Sequence, residues 1–370
     1  MPSSLLGSAE PLTARYDVAL LDLDGVVYLG PDAIPGVPEA LAAVRAQGMR
    51  LAFVTNNAAR PPWAVAEHLN ELGVAATADE IVTSAQAAAR HLADRLPAGA
   101  RVLVVGTVGL EVALRERGLS PVADARGQVD AVVQGYSPEM NWKLLAEGAV
   151  AINRGVPWVA TNLDPTVPST RGPLPGNGSL VAALRHATRR EPVVTGKPDP
   201  TMHRESVLRS GARNPIVVGD RLDTDIEGAN AVGCASLLVM SGVTGVAELL
   251  DAPPELRPHY LAADAAGLLR SHPETVVDGH AARCGAWTAQ VEPLNPDRLR
   301  VTLARVVSAD EGDARWSERA EDLDAIRAMC AARWAGKLAS PGSTSIEPAS
   351  VDGRPDATAR ALLDRLGLSA

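Results

Sequence analysis

The chain has 370 residues, more than one ordinary domain of ~100–200 residues requires, so two or three folded units are expected. Acidic residues (44) outnumber basic ones (35) for a formal charge of −9, which disfavours a polyanion or nucleic-acid binder because no basic excess is present to displace counterions. Aromatics are only 3%, so the cores must be aliphatic and stacking platforms for bases are not expected.

The first sixteen residues show no charged-then-apolar leader pattern, and no window reaches ~18 consecutive apolar residues. Cys234, Cys284 and Cys330 are scattered and odd in number, the pattern of reduced thiols rather than of a disulfide framework. A soluble, cytoplasmic protein without nucleic-acid or membrane partners is expected.

Buried strands are predicted at Val18–Asp22, Arg50–Thr55, Arg101–Gly106, Ala131–Gln134, Pro157–Thr161, Pro215–Gly219 and Ala235–Val239. They are rich in Val, Leu and Ile without strict alternation, as strands covered on both faces should be. Helical patterns fall between them at Gly36–Gln47, Pro61–Leu72, Ser84–Leu96, Leu110–Arg117, Trp142–Arg154, Gly178–Thr188, Pro200–Ser210 and Thr224–Val232. Strand–helix repetition predicts a doubly wound α/β fold, with too many units for one sheet. Ligands in such folds lie beyond the carboxyl ends of the strands. After about Pro273 the texture changes. Trp287–Val291 and Arg298–Val307 alternate like strands with one wet face, Glu318–Lys337 is a long amphipathic helix, 339–357 is rich in Pro, Ser and Gly, and Thr358–Leu366 is a last short helix.

Four motifs stand out. Asp22-Leu23-Asp24-Gly25-Val26-Val27-Tyr28 puts two acids two residues apart. Such a pair on one strand face repels, at about 4 kcal/mol for ~4 Å and an effective dielectric of ~20, unless a cation separates it. Thr55-Asn56-Asn57 offers a hydroxyl and small polar groups fit for a phosphate, although the same residues also make ordinary turns. Gly196-Lys197-Pro198 stands out because only three lysines, Lys143, Lys197 and Lys337, occur among the 35 basic residues. A compact ammonium suits a site that must neutralise a carboxylate and a phosphate oxygen together. Gly219-Asp220-Arg221-Leu222-Asp223-Thr224-Asp225-Ile226 gathers hard carboxylate oxygens of the kind that bind Mg²⁺ with a phosphate.

In this order and spacing the motifs resemble the haloacid dehalogenase superfamily of phosphotransferases. Within it they are similar to the NagD-type phosphatases, a branch that includes p-nitrophenyl, pyridoxal, phosphoglycolate and glycerol-3-phosphate phosphatases. The resemblance covers about Arg15 to Gly267. It implies an α/β architecture: a Rossmannoid parallel-sheet core (14–98 and 191–272) interrupted by an inserted α/β cap of C2 type (99–190). Residues 273–370 form a small C-terminal α+β module outside the usual family chain. A remnant acyltransferase-like element is one reading of it, but no Arg/Gln-x-x-Gly-x-Gly/Ala loop is present, so it is treated as a packing or dimerisation element.

By the same resemblance Asp22 is the nucleophile and Asp24 the general acid and base. Mg²⁺ is held by Asp22, Asp220 and the carbonyl of Asp24. Thr55, Asn56, Asn57 and Lys197 hold the phosphoryl group, Asp225 and Gly219 support the site, and Asp223 is solvated or at one remove. In the cap, Asp164 and Arg171 are substrate-reading candidates, whereas Gly176-Asn177-Gly178-Ser179 is expected to be a tight turn with Ser179 capping a helix. The implied partner is a small phosphate ester, glycerol 3-phosphate first, with phosphoglycolate, p-nitrophenyl-type esters and pyridoxal phosphate as alternatives. A homo-oligomer through the cap or the C-terminal module is left open. Two other classes are weighed: a receiver-type phosphoacceptor, which has no need of Asp24 and is much shorter than this core, and an inactive scaffold whose role lies in the tail.

Overall fold

The computed structural model describes residues 5–167, 171–295, 298–305, 318–335, 343–351 and 354–368. Three sheets carry the architecture. In chain order the first takes β1 (Val18–Leu21), β2 (Arg50–Thr55) and β3 (Ile81–Thr83). The second is made of β4 (Arg101–Val105), β5 (Ser120–Val122), β6 (Ala131–Gln134), β7 (Trp158–Ala160) and β8 (Val193–Val194). The chain then returns to the first sheet with β9 (Pro215–Gly219), β10 (Ala235–Val239) and β11 (Tyr260–Ala262).

The first sheet is parallel throughout, in the order β11-β10-β9-β1-β2-β3. Successive strands run outward from β1 in one direction and from β9 in the other, so the switch point lies between β1 and β9, with β2 on the far side of β1. All four residues of β1 are buried, which is why an unbroken Val-Ala-Leu-Leu run can occupy the centre. The second sheet is also parallel, in the order β8-β7-β6-β4-β5.

Helix Ser84–Ala93 joins the two sheets. Thr83 and Gln86 form a capping box at its start, and Ala85, Ala88, Ala89 and Leu92 pack in one cluster with Val102, Val104 and Val133 of the second sheet. This helix precedes the expected start of the cap at 99, yet its alanine face belongs to the cover of that sheet. On its other side Glu205 of helix Pro200–Ser210, 2% exposed, receives Arg117 from the second unit (2.7 Å), Arg209 (2.8 Å) and Arg90 of the joining helix (3.6 Å).

The third sheet comprises β12 (Val276–Asp278), β13 (Ala281–Cys284), β14 (Trp287–Asn295), β15 (Arg298–Arg305) and β16 (Ser343–Pro348) in sequential order. Its pairings are antiparallel except for the parallel pair β15–β16. It is not a loosely attached appendage. Leu222, Ile226, Leu249 and Leu250 share one buried cluster with Trp287, Met329 and Trp334. Arg327 of helix Glu318–Ala335 donates to the Leu261 carbonyl at 2.6 Å, and Trp334 to that of Leu250 at 3.2 Å.

The predicted strands and helices of the first two sheets are present, with ends shifted by at most three residues. The short strands β3, β5, β8, β11, β12 and β13 were outside the prediction, since two to four residues carry too little pattern, and β5 includes Pro121, tolerated because it lies at an edge. The Pro-, Ser- and Gly-rich stretch contains a strand, β16, that the composition hides. Trp316, Val306, Val307 and Lys337 lie outside the described residues. Among the described residues no helix is long and apolar enough to cross a membrane.

Candidate active site

The carboxyl ends of β1, β2 and β9 meet at the switch point, and each brings one motif. β1 stops at Leu21, so Asp22 to Asp24 lie beyond the strand rather than on it. The Asp22 amide still donates to the Val218 carbonyl at 2.9 Å, while the next residues turn so that Asp24 bridges Tyr28. The common-face reading of the two acids therefore does not apply: Asp22 is half-buried and Asp24 is exposed. Gly25 makes this turn with φ +81°, and a Cβ there would lie 2.3 Å from Asp220 Oδ2.

Lys197, 4% exposed, reaches in from the loop after β8. Its Nζ donates to Asp22 Oδ1 at 2.5 Å and to Asp225 Oδ1 at 2.6 Å, and lies 3.4 Å from the Val54 carbonyl. Burial works against its charge, but the two carboxylates outweigh that and hold the ammonium above its ordinary value. Asp225 arrives there through a wide turn. The expected helix start at Thr224 is replaced by a π-type turn over Leu222–Ile226, ahead of helix Glu227–Ala231. That turn folds Asp225 back so that its Oδ2 accepts the Arg221 amide at 3.2 Å. Gly219 makes room, since a Cβ there would meet the Asp225 Cβ at 2.2 Å. Asp223 points elsewhere and pairs with Arg221 at 2.8 Å, with its side chain 57% exposed.

Asp220 is almost fully buried. Its Oδ2 accepts the Val243 amide at 2.7 Å, and its Oδ1 has no hydrogen-bond partner. Ligand atoms of Asp22, Asp220 and Asp225 all lie within 4.8 Å of one another. Three carboxylates around one ammonium leave surplus negative charge. Burial pushes Asp22 up to about 8 against the pull of Lys197, with Asp225 and Asp220 adding to the rise. Burial and then Asp225 push Asp220 up to about 6. A second cation satisfies this arrangement: hard oxygen donors, an orphaned buried carboxylate oxygen and excess negative charge fit Mg²⁺. Asp24 is also raised, chiefly by desolvation, with Lys197 and His68 opposing.

The second motif divides its work. The Thr55 hydroxyl oxygen accepts the Asn57 amide at 3.1 Å, which leaves its proton to donate. The Asn57 Oδ1 accepts the Ala59 amide at 2.8 Å, a turn contact. The Asn56 side chain bonds to the backbone of Lys197 and to Asp164. The Asn56 side chain is thus bonded to Lys197 and Asp164 through both its oxygen and its nitrogen, while the Asn57 oxygen is held in its own turn.

From the second unit, Asp164 is brought to the core. Burial raises its carboxyl, while Asn56, Arg221 and Lys197 oppose the rise. Arg171 is exposed on the loop that follows. The Gly176–Ser179 run corrects the capping expectation. Helix Asn177–Thr188 begins with Gly176 as its cap, and the Ser179 hydroxyl donates to the Pro165 carbonyl at 2.7 Å. Gly178 is needed for close approach, because a Cβ there would sit 2.1 Å from the Leu163 carbonyl oxygen. The loop after β10 was missed from sequence. Ser241 donates to the Gly25 carbonyl at 2.7 Å, and Gly242 packs on Asp220, with a Cβ there falling 2.0 Å from Oδ2. Its signal was a Ser-Gly pair two and three residues after a buried strand adjacent to β9.

Comparison with known proteins accords with this geometry. Residues 19–120 match the family model of haloacid dehalogenase-like hydrolases, and 194–268 match a second HAD-hydrolase-like model. D-glycerol 3-phosphate phosphatase of Mycobacterium tuberculosis is 42% identical over 358 residues, 96% of each chain. A crystal structure of glycerol phosphate phosphatase from that organism, in complex with magnesium, superposes with a TM-score of 0.82 at 40% identity, covering 97% of this chain and 99% of its own. The p-nitrophenyl phosphatase of Archaeoglobus fulgidus gives 0.63 at 32% identity, covering 69% of this chain and 98% of its own. Nearly the whole chain, C-terminal module included, therefore has a counterpart in the mycobacterial protein.

Proposed function

The chain belongs to the haloacid dehalogenase-like hydrolases, and we propose that within that family it hydrolyses glycerol 3-phosphate to glycerol and phosphate. It is a Mg²⁺-dependent phosphomonoesterase. The observation that carries this reading is the buried Lys197 ammonium bonded to both Asp22 and Asp225, beside the unpartnered Asp220 oxygen. The substrate is inferred from the nearly full-length similarity to the mycobacterial phosphatase.

An Asp22 carboxylate oxygen attacks phosphorus in line. The phosphorus–oxygen bond to the alcohol breaks, and Asp24 gives its proton to the departing alkoxide. Asp24, now ionised, takes a proton from water. That water attacks the aspartyl-phosphate, releasing phosphate and restoring Asp22. Lys197 and the Thr55 hydroxyl stabilise the transferring oxygens, and Asp225 holds Lys197 in place. Mg²⁺, when bound, offsets the repulsion between an anionic nucleophile and an anionic ester. Asp22, Asp220 and the Asp24 carbonyl would hold it, because both oxygens of Asp225 already accept hydrogen bonds. Asp164, which the inserted unit brings to Asn56 at the core, is assigned to reading the polyol end of the substrate. Among the described residues Cys234, Cys284 and Cys330 are free thiols, which supports a cytoplasmic location.

The test separates the two acids. With p-nitrophenyl phosphate, whose leaving group needs no proton, Asp24→Asn should phosphorylate and then hydrolyse slowly, letting a hydroxylamine-sensitive phosphoenzyme accumulate. Asp22→Asn should form neither phosphoenzyme nor product. General acid–base help is worth roughly 10²–10⁴-fold, whereas the covalent route cannot proceed without its nucleophile. Turnover by Asp22→Asn refutes the mechanism. A specificity constant for glycerol 3-phosphate far below that for phosphoglycolate or sugar phosphates refutes the substrate.

A further inference from the structure

Asn56 stands where three segments distant in sequence meet. Its Oδ1 accepts the Lys197 amide at 2.8 Å, and its Nδ2 donates to the Lys197 carbonyl at 3.2 Å. The same Nδ2 lies 3.3 and 3.4 Å from the two carboxylate oxygens of Asp164. An amide N–H can only donate and a carboxylate only accept, so these partners fix the orientation of the Asn56 side chain. Its own carbonyl accepts from the Ser84 hydroxyl at 2.5 Å and from the Asn162 side-chain Nδ2 at 2.7 Å. One side chain thus grips the backbone of Lys197 on both its N–H and its C=O, and touches the carboxylate of the inserted unit.

We propose that Asn56 is a positioning residue that couples the loop carrying Asp164 to Lys197, so that recognition of the polyol end of the substrate sets the placement of the ammonium at its phosphoryl end. The inference rests on the reading of Asp164 as the group that faces the polyol. The Asn56–Asp164 contacts are long for an amide–carboxylate pair and have room to shorten when the substrate draws Asp164 in. Movement of the amide moves the Lys197 backbone, and a misplacement of ~1 Å at a reacting centre costs about 10²-fold in rate. Contacts made far from phosphorus then raise kcat rather than merely lowering KM.

The test is a double-mutant cycle on kcat, run with glycerol 3-phosphate and with p-nitrophenyl phosphate, which has no polyol. Asp164→Ala should lower kcat for glycerol 3-phosphate about 10-fold more than for p-nitrophenyl phosphate, a fraction of the full misplacement penalty. In an Asn56→Ala background the same change should lower kcat no further. The exchange Asn56→Asp with Asp164→Asn rebuilds the amide–carboxylate bond in reverse and should recover part of the kcat lost in Asn56→Asp alone. Independent, multiplicative losses, an exchange without recovery, or an Asp164→Ala that changes only KM would each overturn the coupling. If Asn56 variants do not fold, the kcat of Asp164→Ala decides alone. A wild-type protein that hydrolyses neither ester overturns the phosphatase reading and this inference with it, whereas activity on both with an additive cycle overturns the coupling only.

Discussion

Replacing Glu205 by Gln tests a buried carboxylate whose arginine cluster ties the inserted unit to the core through Arg117 and braces its own helix through Arg209. Glu205 is 2% exposed and accepts from Arg117 at 2.7 Å and Arg209 at 2.8 Å, with Arg90 at 3.6 Å. A charge-assisted hydrogen bond contributes about 1.5–3 kcal/mol, so the two short ones amount to about 3–6 kcal/mol gross. The arginine side chains are 26–38% exposed, so water takes up much of what they lose, and the amide oxygen of Gln retains one acceptor. Discounting by roughly half for that screening leaves about 2 kcal/mol. Glu111→Gln is the control. Its pair with Arg115 is also 2.8 Å long but lies at the surface, with side chains 58% and 42% exposed, and such a helical pair contributes about 0.3–0.5 kcal/mol. Urea unfolding of both variants supplies the measurement, and limited proteolysis near Arg117 should report looser docking for Glu205→Gln alone. Equal destabilisation by the two substitutions refutes the claim that burial, rather than distance, sets the strength of this junction.

Three further outcomes are expected. Asp220→Asn should lower activity by at least the ~10²-fold that loss of even an outer metal partner can cost, and should raise the Mg²⁺ concentration needed for half-activation; full wild-type activity in excess chelator contradicts the metal assignment. Truncation after Glu274 should give a protein that aggregates or melts well below the full chain, because Leu249 and Leu250 lose their cover and each buried leucine is worth about 1.5–3 kcal/mol; a soluble truncation with unchanged melting shows the module to be dispensable. Burial pushes His272 down to about 4 from 6.5, so between those values the unfolded chain binds the extra proton and stability falls as pH drops, by up to about 1.4 kcal/mol per pH unit; in His272→Gln this part of the slope should vanish, and identical slopes from pH 5 to 6.5 count against it.

The sequence revealed what depends on local pattern. An apolar run ending in paired acids located Asp22, and a lysine in a chain that otherwise uses arginine located Lys197. It was least informative where function depends on contacts between distant segments. Thr-Asn-Asn suggested phosphate donors, yet the partners of the Asn56 side chain lie more than a hundred residues away. The Gly-Asn-Gly-Ser run suggested a capped turn, whereas Gly178 serves the approach of a loop fourteen or fifteen residues earlier. The wide turn before Glu227 and the pressure of Gly242 on Asp220 leave almost no periodic trace. The composition of the tail concealed β16, whose pairing with β15 crosses a long stretch of chain.

The strand order also has a consequence for a chain still on the ribosome. The second sheet is built from one uninterrupted stretch and is complete once Val194 has been made. The first sheet is not: β1 is finished at Leu21, but its neighbour β9 begins only at Pro215. At ~5–20 residues per second, β1 keeps one open edge for roughly ten to forty seconds. An apolar strand with a bare edge is a template for wrong pairing, so this is the interval in which the nascent chain most needs shielding. The inserted unit can fold before the sheet that flanks it, and the acids that must work together are brought together late in synthesis.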